Sequence, residues 1–216
     1  MAGRRSPGAV MLRWLFFDVG STLVDETLCD QARIADTLRT STVSAEAFIT
    51  QLHAFAAQNA DAYKACLKHF SLTKAPWRSD LEQLYPGVPA LMQQLSGRYS
   101  LGIIANQNAG LEKRLHEWGI LPYFRVIASS HDIGAAKPDP AIFEKALAAA
   151  GCSPQEACMI GDRLDNDILP AQRLGMRTIW VRQGLGGLGN PLLLFRQPDA
   201  IIERIGDLSA ALGLFA

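Results

Sequence analysis

The chain has 216 residues, of which 49% are hydrophobic and 19% are charged, and its 21 Lys plus Arg residues balance its 21 Asp plus Glu residues. This composition can bury a hydrophobic core, so it excludes a wholly disordered chain. The zero net charge argues against a protein built mainly to bind nucleic acid, because no excess of positive charge is present to neutralise phosphates. The longest apolar runs reach only about ten residues, which predicts no membrane-spanning segment.

The first ten residues, MAGRRSPGAV, carry two arginines but no apolar segment that leads to a cleavage site. This pattern argues against a signal peptide. The four cysteines, Cys29, Cys66, Cys152 and Cys158, are dispersed along the chain and lack the spacing of metal ligands. They indicate free thiols in a reducing compartment, so the sequence predicts a cytoplasmic protein.

Short apolar runs of strand length recur along the chain, and each ends at polar or turn residues. The runs are residues 12–17, 101–105, 124–128, 157–160 and 178–181. Nearly continuous apolar character is typical of parallel strands that are covered on both faces. Apolar residues at helical spacing lie between these runs, near 88–95, 111–118, 142–147 and 168–174. The alternation predicts an α/β fold, a three-layer sandwich with a parallel, Rossmann-like sheet.

Residues 25–85 interrupt this alternation, because they contain no convincing strand and at least three helical patterns. The clearest patterns are residues 48–56, which are entered through Ser44, and residues 63–70. We therefore expect an α/β core domain of residues 11–24 and 86–216 and a small α-helical cap domain of residues 25–85. Further along, the glycine-rich segment 184–190 (GLGGLGN) predicts a flexible loop.

Polar residues that could carry chemistry follow the ends of the predicted strands, where ligands bind in an open parallel sheet. They are Asp18, Asn106, Lys137 and the acidic group Asp162, Asp165 and Asp167. The converging carboxylates suit a divalent, oxygen-liganded cation such as Mg²⁺. They suit equally a carboxylate nucleophile whose repulsion from its neighbours is relieved by the metal and the lysine.

Four motifs in order make the chain resemble the haloacid dehalogenase superfamily of hydrolases, in the subfamily with an α-helical cap inserted after the first motif. The motifs are a strand followed by Asp18 and Thr22, a strand that ends at Asn106, Lys137 in KPDP, and GDRLDND at residues 161–167. The resemblance extends over nearly the whole chain, from about residue 12 to about residue 212.

The resemblance implies a Mg²⁺-dependent hydrolase, specifically a phosphatase that acts on a small phosphorylated metabolite. Asp18 would be the nucleophile that forms an aspartyl intermediate. Lys137 would neutralise the charge of the substrate and keep Asp18 ionised. Thr22, Asn106 and Lys137 would contact the substrate.

The resemblance also implies a set of metal ligands. Asp18 and Asp162 would bind Mg²⁺ directly, together with the backbone carbonyl of Gly20. Asp167 would be a further ligand or a partner in the outer shell. Because a main-chain oxygen does not depend on the side chain, the glycine at position 20 is compatible with metal binding.

Two positions depart from the phosphatases of this superfamily. Gly20 stands two residues after Asp18, where those enzymes carry the aspartate that protonates the leaving alcohol and then activates water. General acid–base help is worth about 10²–10⁴-fold, so we expect reduced activity, and we expect Gly20→Asp to increase it. Ala105 stands where the family has a Ser or Thr that hydrogen-bonds the phosphoryl group. Asp25 and Glu26 lie at the start of the cap linker, a position that argues against a role as substitute base.

Other functions stay open. A catalytically weak member of the superfamily could bind a phosphorylated ligand or a partner protein without turnover. C–halogen hydrolases of this fold carry a bulky aromatic residue at position 20 and need no acidic metal ligand, whereas C–P hydrolases carry a small residue there and use a cap lysine as a Schiff base. Lys64, Lys68 and Lys74 are the cap lysines in question. We expect a small phosphorylated molecule as partner, no nucleic acid and no membrane; the sequence specifies neither the substrate nor the oligomeric state.

Overall fold

The computed structural model describes residues 11–215 and contains eight strands and nine α-helices within that range. The strands are β1 (Trp14–Phe17), β2 (Val24–Asp25), β3 (Gln83–Leu84), β4 (Ser100–Ala105), β5 (Phe124–Ser129), β6 (Ala157–Gly161), β7 (Arg177–Val181) and β8 (Ala200–Ile202). The helices are α1 (Thr27–Leu38), α2 (Ala45–Ala56), α3 (Ala62–His69), α4 (Val88–Ser96), α5 (Leu111–Glu117), α6 (Ser130–Ile133), α7 (Pro140–Ala150), α8 (Leu169–Leu174) and α9 (Leu208–Leu212). A π-helical turn, Leu164–Ile168, precedes α8.

Six strands form one sheet in the order β5-β4-β1-β6-β7-β8, and all of its pairings are parallel. The central strand β1 places Phe17 opposite Ile103 of β4 and Ile160 of β6. Because the carboxyl ends of parallel strands meet at one edge, the residues that follow β1, β4 and β6 come together above the middle of the sheet. The five longer predicted strands and the predicted α/β class are confirmed.

The side chains of β1 alternate between two hydrophobic clusters, one on each face of the sheet. Leu15 and Phe17 pack in the cluster that contains the apolar residues of α4 and α5. Phe16 packs in the other cluster, with Ile142 and Phe143 of α7. Full burial of one such side chain stabilises the fold by roughly 1.5–3 kcal/mol. The two covered faces give the three-layer architecture that the sequence predicts.

Between β2 and β3 the chain forms α1, α2 and α3, which share a separate cluster around Phe48, Leu52 and Tyr63. The expectation that residues 25–85 contain no strand is wrong, since β2 pairs with β3 in an antiparallel ladder that joins Asp25 to Gln83. Two-residue strands are too short to produce a periodic pattern of apolar residues. We propose that this ladder marks the base of a cap domain of residues 25–85.

No helix in the 11–215 range combines the length and the apolar character that crossing a bilayer requires. The amino-terminal segment on which the expectation of no signal peptide rests lies outside the described residues.

Candidate active site

Asp18 is the first residue after the central strand β1. Its backbone N–H donates to the Ile160 carbonyl at 2.9 Å, which extends the pairing of β1 with β6 by one residue. The residue is 9% exposed, and it lines a cavity of about 600 Å³. The strand pairing therefore fixes the backbone that carries this carboxylate, while the cavity leaves the carboxylate accessible to a ligand.

Lys137 provides the positive charge at this position. Its buried Nζ donates to Asp18 Oδ1 at 2.6 Å, to Asp167 Oδ1 at 2.6 Å and to the Ile104 carbonyl at 2.8 Å. These three acceptors match the three donors of an ammonium group. Burial lowers the pKa of Lys137, but the carboxylates of Asp167 and Asp18 outweigh that effect and hold the pKa above its ordinary value. The lysine therefore remains charged between the two aspartates.

Asn106 follows β4 and supports the backbone of Lys137. Its Nδ2 donates to the Lys137 carbonyl at 2.8 Å, and its Oδ1 accepts from the Lys137 N–H at 2.7 Å. The side chain also borders the cavity. These bonds fix the direction in which Lys137 enters the site, and a contact of Asn106 with substrate stays a prediction.

Thr22 lies below the cavity rather than on its wall. The residue is buried, and its hydroxyl group makes no hydrogen bond to the residues the structure describes. The neighbouring Ser21, with φ 54°, faces the cavity in its place. A contact between Thr22 and the substrate stays a prediction.

Asp162 and Asp167 follow β6, and with Asp18 they form the acidic centre of the site. One carboxylate oxygen from each of the three residues lies within 4.8 Å of the others. Asp167 uses one oxygen for Lys137 and the other to accept the Arg163 N–H at 2.9 Å. A Cβ atom on Gly161 would overlap the Asp167 side chain, so only glycine fits at that position.

The charge balance of this acidic centre fits a divalent cation. Burial raises the pKa of Asp162 well above its ordinary value, and the carboxylates of Asp167 and Asp18 raise it further. A hard cation among these oxygens would relieve the repulsion and keep the carboxylates ionised. Both oxygens of Asp167 already have partners. The arrangement therefore suits direct binding of the cation by Asp18 and Asp162, with Asp167 in the outer shell of the metal.

Glu26 is a member of the site, although its place at the start of the cap linker argued against a role there. It follows β2, and its partly buried carboxylate faces the same cavity as Asp18. Ser21 Oγ donates to Glu26 Oε2 at 3.1 Å. Burial raises the pKa of Glu26 to about 8, and the negative charge of Asp18 acts in the same direction. Its separation from Asp18 in the sequence matches no spacing rule, because the tight turn at Ser21 brings the two residues together.

The cavity has walls from both the sheet side and the cap side. The acidic centre forms the inner wall, and four cationic side chains, Arg33, Lys74, Arg114 and Arg163, line other parts of it. Lys74 is exposed, and of the three cap lysines it is the one among the lining residues. Two of these cations pair with carboxylates that also line the cavity, Arg114 with Glu82 and Arg163 with Asp165. A small anionic molecule would therefore reach the acidic centre with a metal ion between them.

The glycine-rich segment 184–190 packs against the site and contains a 3₁₀ turn, Gly186–Leu188; its flexibility stays a prediction. A Cβ atom on Gly186 would overlap the Asp162 carboxylate, so glycine permits this close approach. On the cap side, Asn59 Nδ2 donates to the Asn190 carbonyl at 2.9 Å, and Asn59 Oδ1 accepts from the Asn190 N–H at 2.7 Å. The segment therefore connects the acidic centre to the cap.

Comparison with known families identifies the architecture. The model of the family described as haloacid dehalogenase-like hydrolase matches residues 15–181. The chain is 40% identical over 102 residues to a glyceraldehyde 3-phosphate phosphatase from Methanopyrus kandleri, an alignment that covers 46% of this chain and 44% of the relative. The chain spans about half the length of the curated relatives it matches.

Solved structures share this fold over nearly the full chain. A HAD phosphatase from Thermococcus onnurineus superimposes with a TM-score of 0.64 at 25% identity, covering 94% of this chain and 98% of that one. A 2-haloacid dehalogenase from Pseudomonas syringae pv. Tomato DC3000 superimposes with a TM-score of 0.64 at 26% identity, covering 95% of this chain and 100% of that one.

Proposed function

Because the chain belongs to the haloacid dehalogenase-like hydrolase family, we propose that it is a Mg²⁺-dependent phosphatase that acts on a small phosphorylated molecule through Asp18. One observation carries this proposal: the Lys137 ammonium lies 2.6 Å from both Asp18 and Asp167, beside three clustered carboxylates. The similarity to phosphatases supports it.

In the proposed reaction an oxygen of the Asp18 carboxylate attacks the phosphorus of the ester. The new O–P bond forms as the bond to the alcohol oxygen breaks, and a proton goes to that oxygen. Water then attacks the aspartyl phosphate, which releases inorganic phosphate and restores the carboxylate. Lys137 keeps Asp18 ionised and opposes the charge of the phosphoryl group.

Asp18, Asp162 and the Gly20 carbonyl are the groups we propose for binding Mg²⁺. When bound, the ion would neutralise negative charge shared between the carboxylates and the phosphoryl oxygens. Asp167 would act from outside this set, because Lys137 and the Arg163 N–H occupy its oxygens. Its role is then to hold Lys137 in place.

The glycine at position 20 sets the expected limit on the rate. Without a side chain there, release of a poor leaving group would lose a factor of about 10²–10⁴ unless another group supplies the proton. With no such group, the deficit would be larger on alkyl phosphates than on p-nitrophenyl phosphate, whose leaving group needs little protonation.

The C–P and C–halogen alternatives have less support. A Schiff-base lysine is normally desolvated, which lowers its pKa, whereas Lys74 is exposed. The acidic centre of Asp18, Asp162 and Asp167 is retained, although the resemblance implies that C–halogen hydrolysis does not require acidic metal ligands. The proposed phosphatase reaction uses all three residues of the acidic centre.

Release of phosphate from p-nitrophenyl phosphate, with Mg²⁺ and with a chelator, tests the proposal. Wild type is expected to turn over with Mg²⁺, Asp18→Asn to lose that turnover, and the control Asp36→Asn, an exposed cap residue, to retain it. Equal turnover by Asp18→Asn and wild type would exclude Asp18 as nucleophile. If Mg²⁺ and a phosphorylated ligand raise the melting temperature but no phosphate ester is hydrolysed, the chain is a binding protein instead.

We also propose a cytoplasmic location. All four cysteines lie in the described range as free thiols, and three of them are buried. Such usage is typical of a reducing compartment.

A further inference from the structure

The space beside Gly20 is already filled by a carboxyl group. A Cβ atom built on Gly20 would lie 2.5 Å from Glu26 Oε1, 2.7 Å from Oε2 and 2.7 Å from Cδ. The Glu26 carboxyl group therefore occupies the volume in which a side chain at position 20 would begin. It reaches this volume from the amino-terminal end of α1, and it faces the cavity that Asp18 also lines.

Within residues 11–215, capping of α1 does not account for the position of the Glu26 side chain. Glu26 precedes the first residue of α1, but its side chain makes no capping hydrogen bond to the helix. Asp25 serves that purpose, because its Oδ1 accepts from the Thr27 N–H at 2.9 Å. The hydrogen-bond partner of the Glu26 carboxylate is Ser21 Oγ, which fixes one oxygen and leaves Oε1 directed at the space beside Gly20.

Three other acidic residues on the cavity wall, Glu82, Asp165 and Asp167, already have partners. Glu82 accepts from Trp77 Nε1 at 2.8 Å and pairs with Arg114 at 3.3 Å. Asp165 is bound at both oxygens by Arg163, and Asp167 is held by Lys137. Glu26 also lies outside the group of carboxylates that come within 4.8 Å of one another.

We propose that Glu26, reaching in from the cap linker, is the catalytic acid and base of this chain and stands in for the side chain that Gly20 lacks. This inference rests on the proposed phosphatase function. It revises the expectation that Gly20 by itself reduces activity: the glycine makes room for a carboxyl group from another part of the chain.

The proton transfers balance as follows. In the first half, the Glu26 carboxylic acid donates its proton to the ester oxygen as Asp18 forms its bond to phosphorus, so the products are the alcohol, the aspartyl phosphate and the Glu26 carboxylate. In the second half, Glu26 takes a proton from water as the water oxygen bonds to phosphorus and the Asp18–phosphorus bond breaks. Inorganic phosphate leaves, and Glu26 is protonated again.

Glu26→Gln is the direct test, because the amide keeps the size of the side chain and can still accept from Ser21. The matched control is Asp25→Asn, which removes the adjacent carboxylate but retains an oxygen for the Thr27 N–H. We expect Glu26→Gln to lower kcat on an alkyl phosphate by about 10²–10⁴-fold, with Asp25→Asn close to wild type. Circular dichroism melting curves identify any variant that does not fold.

The two half-reactions separate this role from a structural one. With p-nitrophenyl phosphate, Glu26→Gln is expected to release a burst of one equivalent of p-nitrophenol per site and then stall, with the phosphoryl group retained on Asp18 and visible by mass spectrometry. If Glu26→Gln hydrolyses the alkyl phosphate as fast as wild type, the assignment of Glu26 is overturned, while the proposed phosphatase function is not. Absence of hydrolysis of every phosphate ester by the wild-type enzyme would overturn the proposed function and this inference together.

Moving the carboxyl group provides a second test that does not depend on Glu26→Gln. Gly20→Asp alone places a Cβ atom against the Glu26 carboxyl group and displaces it, so, in place of the increase that the sequence predicts, we expect no gain in rate. Gly20→Asp combined with Glu26→Ala clears that space, and we expect it to hydrolyse the alkyl phosphate faster than Glu26→Ala. A double variant no faster than Glu26→Ala would contradict the position assigned to the catalytic carboxyl group.

Discussion

At the scale of single residues, the Lys137 ammonium compensates the negative charge of the site. It is buried with Asp18 and Asp167, at 2.6 Å from each. Removal of one partner from a buried ion pair typically costs about 3–5 kcal/mol, because a desolvated charge is left uncompensated. We expect Lys137→Met to lower the free energy of unfolding by about that amount near neutral pH, measured by urea denaturation. Lys113→Met is the control, since Lys113 is 80% exposed in a surface pair with Glu117; an equal effect of the two substitutions would contradict the compensating role.

The residues of the site differ in how far the sequence reveals them. Asp18 and Asp162 each follow a strand directly, and Lys137 lies in a motif between α6 and α7. Strand ends converge in a parallel sheet, so the proximity of these residues could be predicted. Glu26 could not, because its approach depends on the left-handed backbone of Ser21 and on the fold of the cap linker. Neither feature has a periodic signal in the sequence.

At the scale of elements, Glu156 secures the turn that leads into β6. Its carboxylate accepts from the Ser153 N–H at 2.9 Å and from Arg13 at 2.9 Å. The Ser153 N–H and Arg13 lower the pKa of Glu156 to about 2 from its ordinary value of 4.5. Because the pKa is lower in the folded state, this stabilisation is present above about pH 4.5 and is lost as the pH falls toward about 2.

The pH dependence of this stabilisation can be measured by comparing the stability of wild type with that of a variant at position 156. We expect wild type to exceed Glu156→Gln in urea stability at pH 6, and the difference to shrink as the pH is lowered through about 4 toward about 3. The exposed Glu144→Gln serves as control. A difference between wild type and Glu156→Gln that does not change with pH would contradict the assignment.

Among the elements, the sequence predicts the long strands but not the short ones. The five longer strands of the sheet are apolar runs and could be predicted, whereas β2, β3 and β8 have two or three residues each and depend on their partners. The glycine-rich segment carries an ambiguous signal for a related reason. Glycine signals both mobility and close approach, and only the proximity of Gly186 to Asp162 shows which applies.

At the scale of the whole molecule, Asn59 and Asn190 link the cap to the segment that covers the site. Asn59 has φ 59°, so Asn59→Gly removes the amide without straining the backbone. We expect this variant to accelerate hydrogen exchange at the Asn190 amide, whose N–H donates to Asn59. The exposed neighbour Gln58→Ala is the control, and unchanged exchange at Asn190 in Asn59→Gly would show that the link does not hold the segment.

The claim on which the whole molecule's function rests is that phosphorus becomes bonded to Asp18. Rapid acid quenching of the wild-type enzyme during turnover of p-nitrophenyl phosphate with Mg²⁺, followed by digestion and mass spectrometry, tests this claim most directly. We expect one phosphoryl group per chain, on the peptide that contains Asp18, and none on Asp18→Asn. Steady turnover with no phosphorylated peptide, or with the phosphoryl group on another residue, would contradict it.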